Sequence, residues 1–511
     1  MKRRQLYFFI FMFQQIWRIE KVLASKLVIE YMKIQKPDAI IIGSGLAGLT
    51  TALQVCDRGG KVVLIEKEEK LGGNSIKASS GINACRAAEN GTVAEDEIQS
   101  FIDDTMKAAG SGADKALVET LVKNSFDALL WLRDRLGLEI TKNHSQLGGH
   151  SRSRTHRPAK GAIGFSIVSS FQNSLKECEE DGRLEFLTST RVKALIQDSE
   201  RTVTGIEATS MDGQDFCISA SNIILATGGF AADRSPTSVL AKNAPEYLQF
   251  PATFGGFSTG DGLAIAAELG ASTVNLDKVQ VHRTGFVDPS NPSNPSKFLC
   301  AELMRGIGGI LLNARGERFC NELGTRDYVT AKMLDQKPLF RASNQKWNPS
   351  HEVPSFFLVL PEIARVQGGE HMGFYEWKKL LMPYKGISEL SQYLDIGEPK
   401  LRETLEKYKS NTVAQSDEFG KTNFPGEFSN DLDNETFYAG KVTPVLHYCM
   451  GGLKIDTHGK VLNEDGRPIP GLFAAGESSG GVHGYNRLAG NSLLECLVFG
   501  SIIGKEITLS K

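Results

Sequence analysis

Three glycines with a regular spacing open the first recognisable element of the chain. Gly43, Gly45 and Gly48 follow an apolar run that ends at Ile42, and a helical stretch follows them. In this order the first glycine makes a tight turn, the second lets backbone amides approach a pyrophosphate, and the third allows close helix packing. Glu66 ends the next apolar run, at the position of an acid that binds a ribose hydroxyl. The spacing therefore predicts a dinucleotide-binding site.

A glycine motif by itself also occurs in ordinary turns. Here the strand before it, the helix after it and the acid at the right distance complete a βαβ unit, which favours the dinucleotide site over a structural turn. The sequence contains no second glycine motif with its own acid. A separate NAD(P)H site therefore has no support.

Three later segments belong with this unit. Lys67 to Ala84 is rich in glycine and serine, so a large flat ring would fit against its backbone, although an ordinary loop is the alternative. Ser221 to Phe230 is another buried strand that ends in glycines. Near the C-terminus the strand-then-glycine pattern recurs, and a helix begins at about Asn491. Exposed amides at a helix start are placed to receive the polar edge of a ring.

Nucleotide-site elements therefore lie at both ends of the chain, while its middle contains the loop-rich DPSNPSNPSK and charged helical stretches such as EPKLRETLEKYKS. This order predicts an α/β fold with a discontinuous Rossmann-type domain interrupted by an inserted domain. A catalytic site is expected in the cleft between them. The predicted boundaries are an N-terminal extension at 1–36, the first part of the nucleotide-binding domain at 37–276, the insert at 277–448 and the second part at 449–511.

Composition excludes several classes of protein. The 511 residues are 41% hydrophobic and 23% charged, which is typical of globular proteins. A net charge of -2 argues against the basic field of nucleic-acid-binding proteins. The eight cysteines are scattered without CxxC, CxxCH or a ferredoxin-like cluster, so no haem, iron–sulfur or other metal centre is predicted. Reduced thiols of an intracellular protein are favoured over disulfides.

The N-terminus allows more than one interpretation. Basic residues 2–4 precede an apolar run at 6–13, which resembles the start of a signal peptide, but the small-residue stretch ending at Ala24 follows a polar segment. Met32 is an alternative start. No later stretch reaches the roughly 18 apolar residues of a membrane-spanning helix. A soluble protein is expected, in the mitochondrion or cytoplasm, with a secretory-pathway signal left open.

Taken together, these features resemble the flavoprotein subunits of the fumarate reductase and succinate dehydrogenase superfamily, most closely its soluble fumarate reductase branch. The resemblance runs from about Ile34 to Gly504, in the blocks QLGGHSRSRTHRP, QVHRTGF, AELMRGIGGILLNARGERFCNELGTRD, TPVLHYCMGG and AAGESSGGVHGYNRLAGNSLLEC. It implies bound FAD, an inserted α+β capping (clamp) domain, and hydride transfer from reduced flavin to fumarate, giving succinate.

The resemblance also places the substrate among His282, Arg305, Arg326, His447 and Arg487. Fumarate is a dianion, and binding both carboxylates away from water requires several cationic donors, best supplied by arginine. The family pattern implies that His282 and His447 hold one carboxylate. Arg487 and Arg305 are then expected to hold the other.

In the family mechanism Arg326 delivers a proton to the second alkene carbon, and Glu302 and Arg305 belong to its proton relay. Glu302 lies three residues before Arg305, so the two would share a face of a helix. An ion pair without function is the alternative for these two residues. For Arg326 the alternative is an ion pair with Asp327.

The cofactor residues implied by the resemblance lie in the glycine turn, the segment after the second strand, the Ser221–Phe230 strand end and the C-terminal block. They are Gly43, Gly45, Leu46, Ala47, Gly48, Glu66, Lys67, Gly73, Asn74, Ser79, Ser80, Gly81, Thr227, Gly228, Asp261, Gly476, Glu477, Asn491, Ser492 and Leu493. Membrane-bound relatives attach FAD through a histidine in this region, but Leu71 to Ala84 contains none. The FAD is therefore expected to be noncovalent.

Two departures from the family pattern bear on the substrate. Ala301 stands where many relatives carry a hydroxyl, and Arg283 follows His282 where proline is common. A reductase of another unsaturated acid such as urocanate, or a ketosteroid dehydrogenase, is the alternative enzyme. A flavin-binding scaffold and a subunit of a membrane complex are the alternatives of other classes. The electron donor is left open among a reduced flavin, a quinol and a partner protein.

Overall fold

The computed structural model describes residues 33–140, 144–147, 149–158, 161–324, 326–336 and 356–510. Apart from residues 33–36, the predicted N-terminal extension lies outside the described residues, and so does the alternative start at Met32. Gly148, Thr325 and the side chain of Asp327, which belong to blocks of the family resemblance, lie outside them too.

Strands and helices alternate along the chain. The strands are β1 (Ala39–Ile42), β2 (Val62–Ile65), β3 (Ile82–Asn83), β4 (His144–Ser145), β5 (Thr155–His156), β6 (Leu184–Leu187), β7 (Arg191–Gln197), β8 (Val203–Thr209), β9 (Asp215–Ser219), β10 (Asn222–Leu225), β11 (Thr273–Val274), β12 (Val279–Phe286), β13 (Phe298–Leu299), β14 (Ile310–Leu312), β15 (Phe356–Leu360), β16 (Met382–Lys385), β17 (Thr436–Cys449), β18 (Gly452–Lys454), β19 (Lys460–Leu462), β20 (Pro468–Ala474) and β21 (Ser479–Gly480). The helices are α1 (Leu46–Asp57), α2 (Glu95–Ala109), α3 (Lys115–Lys123), α4 (Ser125–Leu136), α5 (Ile163–Glu180), α6 (Val239–Asn243), α7 (Asp261–Ala267), α8 (Leu303–Gly306), α9 (Arg326–Leu334), α10 (Ala364–Gln367), α11 (Gly369–Trp377), α12 (Gly386–Leu394), α13 (Glu398–Ala414) and α14 (Asn491–Glu506).

The described residues form two compact units. The first comprises the chain up to Phe230, Phe257–Lys278 and the segment from Cys449 onward. The second comprises Ala231–Gly256 and the described part of Val279–Tyr448. The sequence-based division assigns Ala231–Gly256 to the first domain. In the structure its backbone pairs with the second unit, where the amide of Thr253 donates to the carbonyl of Leu446 at 2.9 Å.

A six-stranded sheet with the order β19-β20-β10-β1-β2-β6 supports the first unit. All its strands are parallel except β19, which is antiparallel at the edge. Every residue of β1, β2 and β10 is buried, because a parallel sheet is covered on both faces. Ile42 is the register partner of both Ile65 and Leu225, so the carboxyl ends of these three strands lie side by side.

Helix α1 follows the glycine turn and packs against α14. The hydroxyl of Thr51 donates to the carbonyl of Gly500 at 3.2 Å. A Cβ at Gly500 would lie 2.8 Å from the carbonyl oxygen of Ala47, so glycine is required where the two helices meet. The C-terminal helix is thereby held against the first βαβ unit.

The core of the second unit is a sheet with the order β13-β12-β17-β15-β14, to which β16 adds by pairing with β17. Side chains of a strand alternate between its faces. On β15, Phe356, Leu358 and Leu360 pack in one apolar cluster with residues of α8 to α11, and Phe357 and Val359 pack in another with residues of α12 and α13. The middle of the chain thus contains a sheet covered on both faces by helices.

In the part of the chain that the structure describes, every helix is too short or too polar to cross a membrane.

Candidate active site

The turn after β1 contains the three predicted glycines. Gly43 has a φ of +105°, and a Cβ there would lie 2.3 Å from the carbonyl oxygen of Ala226. A Cβ at Gly48 would lie 2.0 Å from the carbonyl oxygen of Gly43. A Cβ at Gly45 would have the Ser75 hydroxyl as its nearest neighbour, at 3.7 Å. Gly43 and Gly48 are therefore needed for the turn itself, while Gly45 leaves the start of α1 open to a ligand.

Glu66 lies directly after β2, beside this turn. One carboxylate oxygen accepts hydrogen bonds from the amide of Ser44 at 2.9 Å and from its hydroxyl at 2.5 Å. The other oxygen accepts from the amide of Glu68 at 3.0 Å. A carboxylate has about four lone-pair sites, so Glu66 is oriented and still able to accept from a ribose hydroxyl. That role stays a prediction.

Residues after β10 and β2 fit the predicted FAD. The buried hydroxyl of Thr227 has no hydrogen-bond partner within the described residues, and a buried polar group left unpaired is costly. A Cβ at Gly228 would meet open space. Lys67 and Asp261, both predicted cofactor residues, form an ion pair at 2.9 Å. Open backbone and a buried unpaired hydroxyl are what a large polar ligand would satisfy.

The start of α14 is held by buried amides. The side-chain nitrogen of Asn83 donates to the side-chain oxygen of Asn491 at 2.6 Å and to the carbonyl of Ala489 at 2.8 Å. The hydroxyl of Thr155 donates to the side-chain oxygen of Asn83 at 2.6 Å. This network orients the first turn of α14, which contains the predicted cofactor residues Asn491, Ser492 and Leu493.

Glu477, another predicted cofactor residue, accepts a hydrogen bond from the amide of Cys449 at 2.8 Å. Burial raises the pKa of Glu477 to about 7, although the Cys449 amide and the charge of Arg487 both act to lower it. Arg487 is buried in the same unit and donates to the carbonyl of Leu488 at 3.1 Å. The first unit thus contains a carboxyl group that exchanges its proton near neutral pH.

Most of the predicted substrate and catalytic residues lie in the second unit, on four different elements. His282 lies on β12 and His447 lies near the end of β17, Glu302 directly precedes α8, Arg305 lies within α8, and Arg326 is the first residue of α9. β12 and β17 are neighbours in the sheet, which brings the two histidines together.

Arg326 is held at two of its nitrogens. Its Nε donates to a carboxylate oxygen of Glu302 at 2.7 Å, and one Nη donates to the side-chain oxygen of Gln280 at 2.9 Å. The guanidinium is therefore oriented by groups from β12 and from the residue before α8. Because the side chain of Asp327 lies outside the described residues, the alternative ion pair of Arg326 with Asp327 stays a prediction.

Glu302 is surrounded by cationic groups. Its carboxylate lies 2.7 Å from Nε of Arg326 and 3.5 Å from an Nη of Arg283. Burial would raise the pKa of Glu302, but the guanidinium groups of Arg326, Arg283 and Arg305 hold it well below its usual range. The side chain keeps 21% of its surface exposed. Glu302 is thus an ionised acceptor with access to solvent.

Arg305 is 1% exposed, and one Nη donates to the carbonyl of Glu322 at 3.0 Å. Its Nε and its other Nη have no hydrogen-bond partner within the described residues. Burial lowers the pKa of Arg305, although the charge of Glu302 opposes the shift. The spacing of three predicted that Arg305 and Glu302 share a helix face. In the structure Arg305 acts on Glu302 through its charge and makes its hydrogen bond to Glu322.

The two predicted histidines lie with their ring centroids 5.3 Å apart. Burial lowers the pKa of His282 well below its usual range, and the charges of Arg326 and Arg305 add to this effect, so His282 is neutral. Its Nδ1 lies 3.2 Å from the amide nitrogen of Thr284 and 3.1 Å from the carbonyl oxygen of the same residue, so it accepts in one tautomer and donates in the other. A neutral ring that accepts at Nδ1 carries its proton on Nε2 and can donate it to an anion.

The charges of this cluster do not cancel. Among the described residues, Arg283, Arg305 and Arg326 each carry one positive charge and Glu302 carries one negative charge, which leaves an excess of two positive charges. Each arginine is at least nine-tenths buried. The cluster is thus suited to bind a small dianion.

Three members of the cluster were not predicted as site residues. In the sequence, Arg283 was recognisable only as a departure from the family pattern, and neither Gln280 nor Thr253 was predicted as a site residue. Gln280 lies two residues before His282 on β12, so strand periodicity was the available signal. The hydroxyl of Thr253 lies 2.9 Å from Nδ1 of His447, a contact between distant segments that has no local signal.

Comparisons with known proteins agree on the family. Residues 38–493 match a family model described as an FAD binding domain. A fumarate reductase of Schizosaccharomyces pombe is 39% identical over 476 residues, which cover 91% of this chain and 88% of that protein. Fumarate reductase 1 of Saccharomyces cerevisiae is also 39% identical over 476 residues, covering 92% of this chain and 98% of that protein.

The fold is likewise similar to that of a solved structure. A flavocytochrome c3 fumarate reductase in an open conformation matches with a TM-score of 0.75 and 29% identity, and the match covers 92% of this chain and 78% of that chain.

Proposed function

Because the chain belongs to the FAD-binding flavoprotein family of the yeast fumarate reductases, we propose that it is an FAD-dependent fumarate reductase. The enzyme reduces the carbon–carbon double bond of fumarate, and the product is succinate. Fumarate takes up a hydride at one alkene carbon and a proton at the other.

The excess of two positive charges around Glu302 carries this proposal. Buried charges are costly unless other charges and hydrogen bonds compensate them. Fumarate has two carboxylates and compensates both charges. Nε of Arg283 and two nitrogens of Arg305 are buried donors without a partner in the described residues, so they are available to a carboxylate. A neutral steroid would leave these charges uncompensated.

In this proposal the two histidines bind one carboxylate of fumarate. His282 is neutral, it donates from Nε2 in the tautomer whose Nδ1 accepts from the amide of Thr284, and His447 lies next to it. Arg305 binds the other carboxylate through its unpaired nitrogens. Arg487 stays a predicted ligand of that second carboxylate.

Bound FAD in its reduced form supplies the hydride. We assign the proton to Arg326. A guanidinium is a poor acid in water, but a carbanion-like transition state in a water-poor site is a strong enough base to take its proton. Glu302 accepts the hydrogen bond from Arg326 and is partly exposed, so it returns a proton from solvent to the guanidinium. The cycle leaves both side chains as they began.

The cofactor and the domains complete the proposal. FAD binds noncovalently, since Leu71 to Ala84 contains no histidine. The first unit serves as a discontinuous Rossmann-type FAD-binding domain, which its parallel sheet and the turn at Gly43 support. The second unit serves as the α+β capping domain.

The electron donor is proposed to be a reduced flavin, a quinol or a partner protein, because the sequence contains no second glycine motif for NAD(P)H. A mitochondrial or cytoplasmic location is proposed with it. All eight cysteines are free thiols and six of them are buried, which is typical of proteins from reducing compartments.

The test is an anaerobic titration. The purified protein is reduced, fumarate is added, and the return of oxidised flavin absorbance is followed while succinate is assayed. Rapid reoxidation with one succinate formed per flavin supports the proposal. Urocanate and a ketosteroid are added in parallel, and reoxidation by either of them without reoxidation by fumarate would overturn the substrate assignment while leaving the flavin chemistry intact.

A further inference from the structure

We infer that Arg283 is a positioning residue that fixes the relay carboxylate Glu302 and the loop leading to Arg326 in one arrangement. The inference rests on the proposed function, because Arg326 is the proposed proton donor. It concerns a residue that departs from the family pattern.

Arg283 contacts two segments at once. One Nη donates to the carbonyl of Gly324 at 2.7 Å, and the other Nη forms an ion pair with Glu302 at 3.5 Å. Gly324 lies two residues before Arg326, and Glu302 accepts the hydrogen bond from Arg326. A single guanidinium therefore connects the carboxylate with the backbone that precedes its donor.

The chemistry of the side chain explains why arginine is suited to this position. Its planar fork presents two Nη groups at a fixed separation, so it bridges a carbonyl and a carboxylate, whereas a lysine ammonium is a point charge on a flexible stem. Arg283 is 5% exposed, and burial lowers its pKa well below the usual range. Burying a charged guanidinium has a large desolvation cost, and the contacts with Glu302 and Gly324 explain why the charge is kept there.

Other buried groups hold the loop of residues 318–324 at earlier positions along the chain. Arg305 donates to the carbonyl of Glu322 at 3.0 Å. The carboxylate of Glu322 pairs with Arg318 at 2.8 Å and with Lys421 at 2.9 Å. Arg283 contacts Gly324, two residues before Arg326, so its loss removes a contact at the end of the loop from which Arg326 extends.

Charge is the second part of the role. Among the described residues, the charged and titratable groups that act most strongly on Glu302 are Arg326, Arg283, Arg305 and His282. His282 is neutral, so removal of Arg283 takes away one of three positive charges that keep Glu302 ionised. The carboxylate is then protonated at a higher pH, and a protonated Glu302 no longer pairs with the guanidinium of Arg326. The acid limb of the pH–rate profile is therefore expected to move to higher pH.

Two substitutions separate the positioning effect of Arg283 from the effect of its charge. Arg283→Lys keeps the charge but cannot make both contacts, and Arg283→Gln loses the charge while keeping one donor. We expect kcat for fumarate to fall about 10- to 100-fold in both variants, because misplacement by about 1 Å has an effect of this size. In Arg283→Lys, which keeps the charge, KM for fumarate and the binding of malonate to the oxidised protein should change less than about threefold. The acid limb should shift only in Arg283→Gln.

Arg315→Gln is the matched control. Arg315 lies in the same unit, pairs with Glu317 at 2.9 Å, and has a side chain that is 60% exposed. It should retain the kcat, the KM and the pH profile of the wild type. FAD content and the melting temperature are measured for every variant to detect a folding defect.

Two results would overturn the inference. One is a wild-type kcat and acid limb in Arg283→Gln. The other is a loss of kcat in both variants that follows their loss of FAD content, with the acid limb of Arg283→Gln unchanged, because that outcome describes a purely structural residue. If the wild-type flavin is not reoxidised by fumarate at all, the proposed function fails first. If the wild type turns over fumarate and the Arg283 variants keep its kcat and pH profile, only the inference is contradicted.

Discussion

Arg326 and Glu302 are 24 residues apart in the chain, yet Nε of the arginine lies 2.7 Å from the carboxylate of the glutamate. Hydrogen bonds between charged partners are shorter and stronger than neutral ones. The pair joins the first residue of α9 to the residue before α8. It is the contact on which the proposed proton delivery depends.

Replacement of Arg326 by lysine should lower the rate of flavin reoxidation by fumarate by about 100-fold or more, the usual contribution of a positioned acid. A lysine cannot keep both the contact with Glu302 and the contact with Gln280. Stopped-flow absorbance of the reduced protein measures the rate, and the FAD content checks the fold. Near-normal turnover with FAD retained would exclude Arg326 as the proton donor. Arg315→Lys serves as the control on an exposed arginine.

Glu302→Gln tests the relay separately from binding. The amide oxygen still accepts the hydrogen bond from Arg326, but the side chain no longer carries a proton back from solvent. We expect kcat to fall about 100-fold with KM for fumarate changed by a few fold. Glu317→Gln, on a partly exposed carboxylate of the same unit, should show neither change. A large rise in KM with kcat retained would instead assign Glu302 to substrate binding.

The excess positive charge predicts a preference for dianions. Succinate should inhibit competitively, and propionate, which lacks one carboxylate, should bind more weakly by about 2–5 kcal/mol, the cost of leaving a buried charge unpaired. Inhibition constants at neutral pH measure the difference. In Arg305→Met the difference between the inhibition constants of succinate and propionate should be smaller, because one of the three arginines is removed. Equal inhibition by both compounds in the wild type would contradict the charge argument.

Glu322 should contribute to stability more than the surface acids. It is fully buried, and its carboxylate pairs with Arg318 and Lys421. Glu322→Gln leaves Lys421 without its charge partner and Arg318 with Asp417 alone, and it should lower the free energy of unfolding by about 3–5 kcal/mol. The partly exposed Glu317→Gln should cost about 1 kcal/mol or less. Chemical denaturation compares the two variants, and equal small losses would contradict the prediction.

The same residue gives a pH dependence of stability. Burial would raise the pKa of Glu322, but Arg318 and Lys421 hold it below its usual range. A folded-state pKa below the unfolded value of about 4.3 means that the stabilisation is complete above that pH and is lost as the pH falls through the folded pKa. The slope of unfolding free energy against pH below pH 5 should therefore be smaller in Glu322→Gln.

Local patterns were sufficient for part of the fold. The turn at Gly43 and the strands around it depend on residues close in sequence, and the structure contains β1, α1 and β2 in the predicted order. The family and the FAD cofactor were also predicted from short blocks, and the comparisons confirm both, with fumarate reductases among the relatives. A helix starting at Asn491 was predicted from its glycine-rich approach and is present as α14.

The partners of the charged residues were decided by the tertiary structure. Sequence spacing suggested that Arg305 faces Glu302, but the backbone carbonyl of Glu322 accepts its hydrogen bond. Arg283 was visible only as an unusual neighbour of His282, and its contacts with Glu302 and Gly324 come from segments 19 and 41 residues further along the chain. Spacing predicts contacts only within one helix or strand. Which charge neutralises which depends on where β12, α8 and the start of α9 come together, and packing of the whole second unit determines that.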